Sequence, residues 1–248
     1  MSQLANIIAA NIFISLISLI GAFLLLSKKF LVKKVTHIFV SFAAGVLLAS
    51  AFLNLLHEAL ENSEPQSILL TVLIGMVFSF FMERFFLWYH HHHEDTHNIH
   101  PSAILVIIGD GIHNFIDGFA IAATFIINPA LGLTTTFAVA AHEIPQEIAD
   151  LSILTHAGLD KKKALLLNFL SALTAILGGI VGFYFIQSFS DSLPFALAFT
   201  AGIFIYVASS DLIPDLHEDI GTQNIPHQVL PFIIGTLLIF ALSFTRGH

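Results

Sequence analysis

The chain has 248 residues, of which 56% are hydrophobic and only 10% charged, with a mean hydropathy of +0.87. A soluble domain carries charges on about a quarter of its residues, so this composition would expose large apolar surfaces in water. The formal net charge of −8 argues against nucleic acid as a partner, and the lack of cysteine excludes disulfides and thiolate metal ligands. The composition predicts an all-α integral membrane protein.

Eight segments are long and apolar enough to cross a bilayer as helices, which takes about 20 residues each. Their connections are short, which predicts a single transmembrane domain over residues 1–248. The first segment has no basic n-region, so we expect a retained helix and not a cleaved signal peptide. The predicted spans are 1–27, 35–56, 65–82, 102–127, 130–155, 164–190, 192–210 and 229–245.

The basic residues indicate how these spans are oriented. Eight of the nine Lys and Arg residues lie in or beside the connections that follow the first, third and fifth spans, and only Arg246 lies elsewhere. Because cytoplasmic loops of membrane proteins are enriched in Lys and Arg, we expect these connections to be cytoplasmic. Both termini would then lie outside, in a protein of the cell membrane.

A repeat with an offset of 157 residues relates the first two spans to the sixth and seventh. Asn11 aligns with Asn168, and Gly45 aligns with Gly202. The halves formed by spans 1–3 and 6–8 would enter the membrane from opposite sides, as in the inverted repeats of secondary transporters. Spans 4 and 5 lie outside the repeat and are predicted to hold the substrate.

Spans 4 and 5 carry ionisable groups at membrane depth, where such groups are costly and indicate function. The polar face of span 4 consists, at helical spacing, of Asp110, His113, Asn114 and Asp117. The polar face of span 5 consists of His142, Glu143, Gln146 and Asp150, with Glu147 at its edge. Pro145 is predicted to kink this helix. Imidazole, carboxylate and amide ligands suit exchangeable binding of a borderline divalent cation such as Zn²⁺.

Further polar residues lie near span ends and in one loop. Those near the ends of spans 2 and 7 are His57, Glu58, Glu61, Asp211, Asp215 and Glu218. We predict that they gather cations at the outer and inner mouths, with solvated helix caps as the alternative. The connection at about 90–100 contains His90, His91, His92, His93, His97 and His100. Such a tract binds transition metals reversibly, so this cytoplasmic loop is either a metal receiver or sensor, or a flexible polar linker.

Three functions remain open from these residues. The first is a metal transporter, which could not be driven by ATP within this chain because no Walker A pattern occurs. The second is an intramembrane zinc-dependent hydrolase, although Gln146 stands where the HExxH pattern of metalloproteases requires its second His. The third is an efflux carrier, which would use similar ligands. Transport without catalysis is the favoured interpretation.

Two motifs resemble those of a known family: His113-Asn114-x-x-Asp117-Gly118 and His142-Glu143-x-Pro145-x-Glu147. They resemble the paired motifs of the ZIP (Zrt-, Irt-like) divalent metal transporters, most closely the branch whose fifth helix reads His-Glu-x-Pro-His-Glu. The resemblance implies uptake of Zn²⁺, with Fe²⁺, Mn²⁺ and Cd²⁺ as further substrates, into the cytoplasm between the fourth and fifth helices. It also implies a 3+2+3 helix plan, a homodimer, and a metal that is the substrate and not a cofactor.

The metal site of this family can be binuclear. By position, one half would consist of His113, Asp117 and His142. The other half would consist of Asn114 and Glu143.

Two departures from the family pattern weaken the expectation of a second metal. Gln146 stands where this branch has His, and Asn168 is the nearest polar residue where some members have an acid in the sixth helix. A neutral amide bridges two cations poorly. We therefore expect one site with Gln146 as a weaker ligand and Asp110, Glu147, Asp150 and Asn168 as accessory residues. Its main ligands would be His113, Asp117, His142 and Glu143.

Overall fold

The computed structural model of the chain describes residues 2–26, 33–61, 63–91, 101–218 and 225–244. Within these ranges the secondary structure is helical and contains no strand, which confirms the all-α prediction. The α-helices are α1 (Gln3–Leu26), α2 (Lys33–Ser50), α3 (Leu56–Glu61), α4 (Pro65–His91), α5 (Pro101–Ile127), α6 (Pro129–His156), α7 (Lys161–Ala172), α8 (Thr174–Ser188), α9 (Leu193–Tyr206), α10 (Ile213–Glu218) and α11 (Ile225–Phe244).

Six helical segments in the described ranges have the length and hydropathy of membrane spans. They are His37–Glu61, Pro65–Arg84, Val106–Ile127, Lys161–Ser188, Ser190–His217 and Pro226–Ser243. By length and composition, the chain is therefore an integral membrane protein. The Gln3–Ile17 part of α1 is apolar but shorter than these six segments. Helix α6 is not among the six because its polar residues lower its mean hydropathy. Hydropathy alone thus supports six of the eight predicted spans.

Three predicted spans contain breaks in the α-helical hydrogen-bond pattern. The segment predicted at 164–190 changes from α7 to α8 at Leu173, and the segments predicted at 35–56 and 192–210 run into π-helical turns. These turns are Ala51–Leu55 and Val207–Leu212. A shift of 157 residues places the first turn within the second, so the repeat seen in the sequence extends to an irregularity of the backbone.

Glycines allow four helices to approach one another closely in two pairs. A Cβ atom on Gly45 of α2 would lie 2.2 Å from the carbonyl oxygen of Phe232 on α11. A Cβ atom on Gly202 of α9 would likewise lie 2.2 Å from the carbonyl oxygen of Val72 on α4. Small residues at such interfaces let helix backbones pack closely. In membranes this packing drives helix association, because the hydrophobic effect does not hold helices together in lipid.

The reciprocal glycines of the same two pairs are packed in the same way. A Cβ atom on Gly235 of α11 would lie 2.5 Å from the carbonyl oxygen of Phe42, and one on Gly75 of α4 would lie 2.4 Å from that of Phe199. Phe42 and Phe199 are again 157 residues apart. The α2–α11 and α4–α9 contacts are therefore built alike on both of their surfaces.

A sharp helical hairpin places α5 beside α6. Asn128 is extended, its Oδ1 accepts a hydrogen bond of 2.8 Å from the backbone N–H of Leu131, and Pro129 begins α6. An Asn N-cap followed by Pro is a favoured start of a helix. Gly132 leaves room for the ring of Phe125, since a Cβ atom there would lie 2.3 Å from it. Residues at equal distances on either side of Asn128 consequently face each other.

The contact between α5 and α8 generates our first prediction. A Cβ atom on Gly118 would lie 1.9 Å from the carbonyl oxygen of Ala175, so we expect Gly118→Ala to overpack the interface and lower stability by about 1–3 kcal/mol. Gly111→Ala on the same helix is the matched control, because its Cβ atom would meet Ser171 and Thr174 at an ordinary 3.7 Å. Thermal unfolding in detergent measures both, and equal melting temperatures would contradict the tight packing.

Candidate metal site

Four polar side chains of the α5–α6 hairpin converge. Each offers one ligand atom, and these atoms all lie within 4.8 Å of one another. The hairpin explains the meeting, because the residues lie at similar distances before and after Asn128. The four-residue cluster consists of His113, Asp117, His142 and Glu143.

The distances within the four-residue cluster match those among ligands of one ion. The Nε2 atoms of His113 and His142 are 3.2 Å apart, and Asp117 Oδ2 is 3.6 Å from the first and 3.0 Å from the second. Glu143 Oε1 is 3.7 Å and 3.8 Å from the same two nitrogens. A tetrahedral zinc site with bonds of about 2.0–2.1 Å separates its ligand atoms by about 3.3–3.4 Å. The measured separations bracket that value, so Zn²⁺ fits the cluster with small side-chain movements.

The protein leaves the carboxylates of the cluster without hydrogen bonds. Asp117 is 1% exposed and Glu143 is fully buried. Neither oxygen of either carboxylate accepts a hydrogen bond from any residue in the described ranges, although the imidazole nitrogens stand close by. Burial of a carboxylate without partners costs several kcal/mol. A cation bound in the cluster would satisfy one oxygen of each carboxylate.

The second nitrogen of His142 helps to fix its role. His142 Nδ1 lies 3.1 Å from the carbonyl oxygen of Ala138, which can only accept a hydrogen bond. The Nδ1–H therefore donates there, and Nε2 presents its lone pair to the cluster, as in many metal-binding histidines. Phe204 of α9 packs edge-on against this imidazole, with 5.9 Å between the ring centroids.

Asn114 belongs to a second polar group, one turn further towards the start of α5. Its Nδ2 donates to Asp110 Oδ1 at 2.8 Å and to the carbonyl oxygen of Asp110 at 3.1 Å. Asp110 Oδ2 accepts a hydrogen bond from the hydroxyl of Ser171 on α7. Gln146 also hydrogen-bonds Asp110. Both predicted amide ligands are thus hydrogen-bonded to Asp110.

The remaining accessory residues of α6 face α7 or lie further along the helix. Glu147 is fully buried, and its Oε2 accepts a hydrogen bond from the amide of Asn168. Asp150 is half-buried. Ser171, which lies three residues after Asn168 on the same helix face, was not predicted from the sequence. Its spacing of three residues from Asn168 is the sequence feature that could have predicted its place beside the site.

The residues predicted at the two mouths are mostly exposed. His57 Nε2 is 3.6 Å from Glu61 Oε1, with both side chains solvent-exposed, and Glu58 is half-buried. Asp211 and Asp215 are exposed. The side chains of Glu218, His90 and His91 and all of residues 92–100 lie outside the described part of the structure, so the roles of both mouths and of the His-rich loop stay predictions.

A further polar contact joins α4 to α9 near Asp211. The hydroxyl of Tyr206 donates to Glu83 Oε2 at 2.5 Å. Neither residue was predicted from the sequence.

Comparison with known proteins identifies the family. The chain matches the family model described as ZIP Zinc transporter over residues 4–102 and 88–243. It belongs to the ZIP zinc transporter family. The predicted family is thereby confirmed, whereas its branch is not decided by this match.

The curated relatives of this ZIP family member are longer proteins. It is 38% identical over 148 residues to the zinc transporter foi of Drosophila melanogaster, covering 58% of this chain and 20% of that protein. It is 45% identical over 119 residues to human zinc transporter ZIP6, covering 47% and 16%. It is 35% identical over 155 residues to zinc transporter zipt-7.2 of Caenorhabditis elegans, covering 60% and 33%. The matched part thus spans a third or less of each relative.

The four-residue cluster generates a binding prediction. We expect His113→Ala to weaken Zn²⁺ or Cd²⁺ binding by more than about 100-fold, because loss of a direct ligand exceeds the 10–100-fold effect of outer-shell partners. The control His227→Ala removes an imidazole of α11, outside the cluster and the predicted mouths, and should leave the affinity unchanged. Calorimetric titration of the detergent-solubilised protein compares them, and equal affinities in both variants would remove His113 from the ligand set.

Proposed function

We propose that this ZIP family protein carries divalent transition-metal cations, above all Zn²⁺, across the membrane into the cytoplasm. The single observation that carries the proposal is the four-residue cluster, whose buried carboxylate oxygens lack hydrogen bonds. Relatives named as zinc transporters favour Zn²⁺ as the substrate. The family resemblance adds Fe²⁺, Mn²⁺ and Cd²⁺ as further substrates. Mixed imidazole and carboxylate ligands without thiolate bind tightly enough to replace water and loosely enough to release the ion.

We infer that eight helices cross the membrane, and helix directions support this. Along α5 and the α7–α8 segment, Gly111 faces Ser171 and Gly182 faces Ala122, so these two run parallel. In a series of spans that alternate in direction across the membrane, the fourth and the sixth span also run parallel. In α1, Asn11 faces Gly179, whereas Ser15, further along, hydrogen-bonds the carbonyl oxygen of Ala172. The first and sixth spans are thus antiparallel, as eight alternating spans require.

The outer helix pairs obey the same alternation. In α2 and α11, the hydroxyl of Ser41 donates to the carbonyl oxygen of Gln228, and Thr236 approaches Gly45 four residues later. Helices α2 and α11 therefore run parallel, as the second and eighth spans should. In α4 and α9, Gly75 faces Phe199 and Glu83 accepts from Tyr206, so the third and seventh spans are parallel as well.

A 3+2+3 inverted repeat accounts for two further contacts. Where the symmetry axis of the inverted repeat passes through the bundle, equivalent residues of the two halves lie next to each other. Ser15 hydrogen-bonds the carbonyl oxygen of Ala172, which is its equivalent 157 residues later. The matched glycine contacts of α2–α11 and α4–α9 are the second pair that such an axis would relate. Helices α5 and α6, outside the repeat, supply the four-residue cluster.

The orientation and assembly of the protein complete the proposal. The Lys residues at 161–163 and Arg84 favour a cytoplasmic location for the connections after α4 and α6. Both ends of this chain would then lie outside the cytoplasm, in the cell membrane, and the His-rich loop would receive or sense arriving metal. A homodimer and the His-Glu-x-Pro-His-Glu branch are the remaining elements that the family resemblance implies.

Metal flux tests the proposed function directly. We expect proteoliposomes with an entrapped zinc-responsive dye to show Zn²⁺ entry that His142→Ala reduces at least about tenfold, because His142 supplies one of the ligand atoms. His227→Ala removes an imidazole of α11 that lies outside the cluster and the predicted mouths, so this control variant should transport normally. Absence of flux from folded, inserted protein, together with zinc that resists chelation, would instead favour the zinc hydrolase.

The number of bound metals is a separate prediction. We expect titration to give one equivalent of Zn²⁺ between α5 and α6. The reason is that the neutral amide of Gln146 bridges two cations poorly, and that the amide of Asn168 already donates a hydrogen bond to Glu147. Quantification by elemental analysis of dialysed protein checks this. Two equivalents lost together in Asn114→Ala would show that the site is binuclear.

A further inference from the structure

Helix α7 has one buried face and one apolar face that is exposed. The buried residues are Ala164, Asn168, Ser171 and Ala172. On the opposite side, Leu166 and Leu170 are 56% and 49% exposed, and Leu177 continues this leucine stripe on α8 with 55% exposure. Because α7 and α8 form one apolar segment long enough to cross a membrane, the leucine stripe faces the acyl chains of lipids.

Two lysines stand at the end of the leucine stripe. The apolar segment begins with three consecutive lysines, which are three of the nine basic residues of the chain. At helical spacing, Lys162 and Lys163 lie four and three residues before Leu166, on the exposed side. Lys161 instead lies three residues before Ala164, in line with the buried face. Helical side chains lean towards the first turn, so Lys162 and Lys163 extend from the leucine stripe to the depth of lipid headgroups.

The ammonium groups of these two lysines are not neutralised by the acid that precedes them. Asp160 is the N-cap of α7, and its Oδ1 accepts hydrogen bonds of 3.0 Å and 3.1 Å from the backbone N–H groups of Lys162 and Lys163. Within the described ranges neither lysine side chain forms an ion pair. The net charge of −8 disfavours anionic partners over the chain as a whole, so attraction of an anion requires a local basic cluster of this kind.

We propose that Lys162 and Lys163 bind the headgroup of an anionic phospholipid, one acyl chain of which lies along Leu166 and Leu170. The lysines match the phosphate in charge, and the leucine stripe matches the acyl chain in polarity and direction. A free phosphate ion has no acyl chain and gains nothing from the leucines. The proposed lipid site lies outside the four-residue cluster, and the inference does not depend on the proposed function.

The buried face of α7 connects the proposed lipid site with the α5–α6 hairpin. Asn168 donates a hydrogen bond to Glu147 of α6, and Ser171 donates one to Asp110 of α5. A lipid bound to the exposed face is therefore separated from the hairpin by the width of one helix, about 10 Å. The same helix thus contacts both the lipid and the acids beside the metal cluster.

Fluorescence quenching by brominated lipids tests the proposal on the full chain. Trp88 is the single tryptophan, so Trp88→Phe combined with Leu170→Trp reports only on lipid at the leucine stripe. We expect brominated phosphatidylglycerol to bind there about 25-fold more tightly than brominated phosphatidylcholine, because each lysine contributes about fivefold. The control combines Trp88→Phe with Leu237→Trp on α11, where Leu237 is 57% exposed, and should show less than about threefold preference.

Substitutions of single lysines distinguish a defined site from general attraction to a basic turn. In the Leu170→Trp protein, Lys162→Gln and Lys163→Gln should each lower the preference for the anionic lipid about fivefold. Lys161→Gln is the matched control, because it removes the same charge from the same turn but in line with the buried face. It should lower the preference less than about twofold. Equal losses in all three variants would contradict the proposal.

Two further results would overturn the proposal. An equal lipid preference at Leu170→Trp and Leu237→Trp would show that no anionic lipid site lies beside α7. Displacement of the brominated phosphatidylglycerol by soluble glycerol phosphate would show that the lysines bind phosphate without help from the acyl chain.

Native mass spectrometry of the parent chain covers the case in which a tryptophan variant fails to fold. We expect the parent to retain one phosphatidylglycerol molecule more than the double variant Lys162→Gln, Lys163→Gln. Both lysines are exposed, so their replacement should leave the fold intact, which circular dichroism checks. Equal numbers of retained lipid molecules would reject the proposed lipid site.

Discussion

The structure depends on the cost of placing ionisable side chains among apolar helices. Asp117 and Glu143 are buried, and their oxygens receive no hydrogen bond from the described residues. In a soluble protein, water could hydrogen-bond such carboxylates. In the interior of a membrane bundle, only other side chains or a bound ion can interact with them. The protein places His113 and His142 against both carboxylates. The cluster therefore has the composition and the spacing of a site that is complete when it holds a cation.

The rest of the bundle holds the hairpin that carries this site. Helices in lipid gain nothing from excluding water, so they associate through close backbone contact and hydrogen bonds. Glycines supply that contact at the α2–α11, α4–α9 and α5–α8 interfaces, as Gly118 and Gly178 do between α5 and α8. From the other side, Phe204 of α9 contacts the imidazole of His142. A defined position of α5 and α6 relative to these neighbours keeps four ligand atoms within reach of one ion.

The polar residues around the cluster illustrate what spacing along one helix can predict. Helical periodicity correctly placed His113 and Asp117 one turn apart, and it placed Asn114 on the same face. It could not show that Asp110 accepts a hydrogen bond from Ser171, which lies on another helix. The contact of Glu147 with Asn168 has the same origin. Both contacts join residues on different helices, which spacing along one helix does not predict.

The sequence by itself determined the helical membrane class, the internal repeat and the family, because apolar length, residue spacing and paired motifs are local properties of the chain. It also selected all four members of the cluster. The tertiary structure decided which polar groups meet, where the π-helical turns fall, and how the two glycine-packed helix pairs mirror each other. These features depend on contacts between different helices, some of them more than 100 residues apart, such as that of Ser15 with Ala172. Such contacts leave no periodic trace in the sequence, since only folding brings their two sides together.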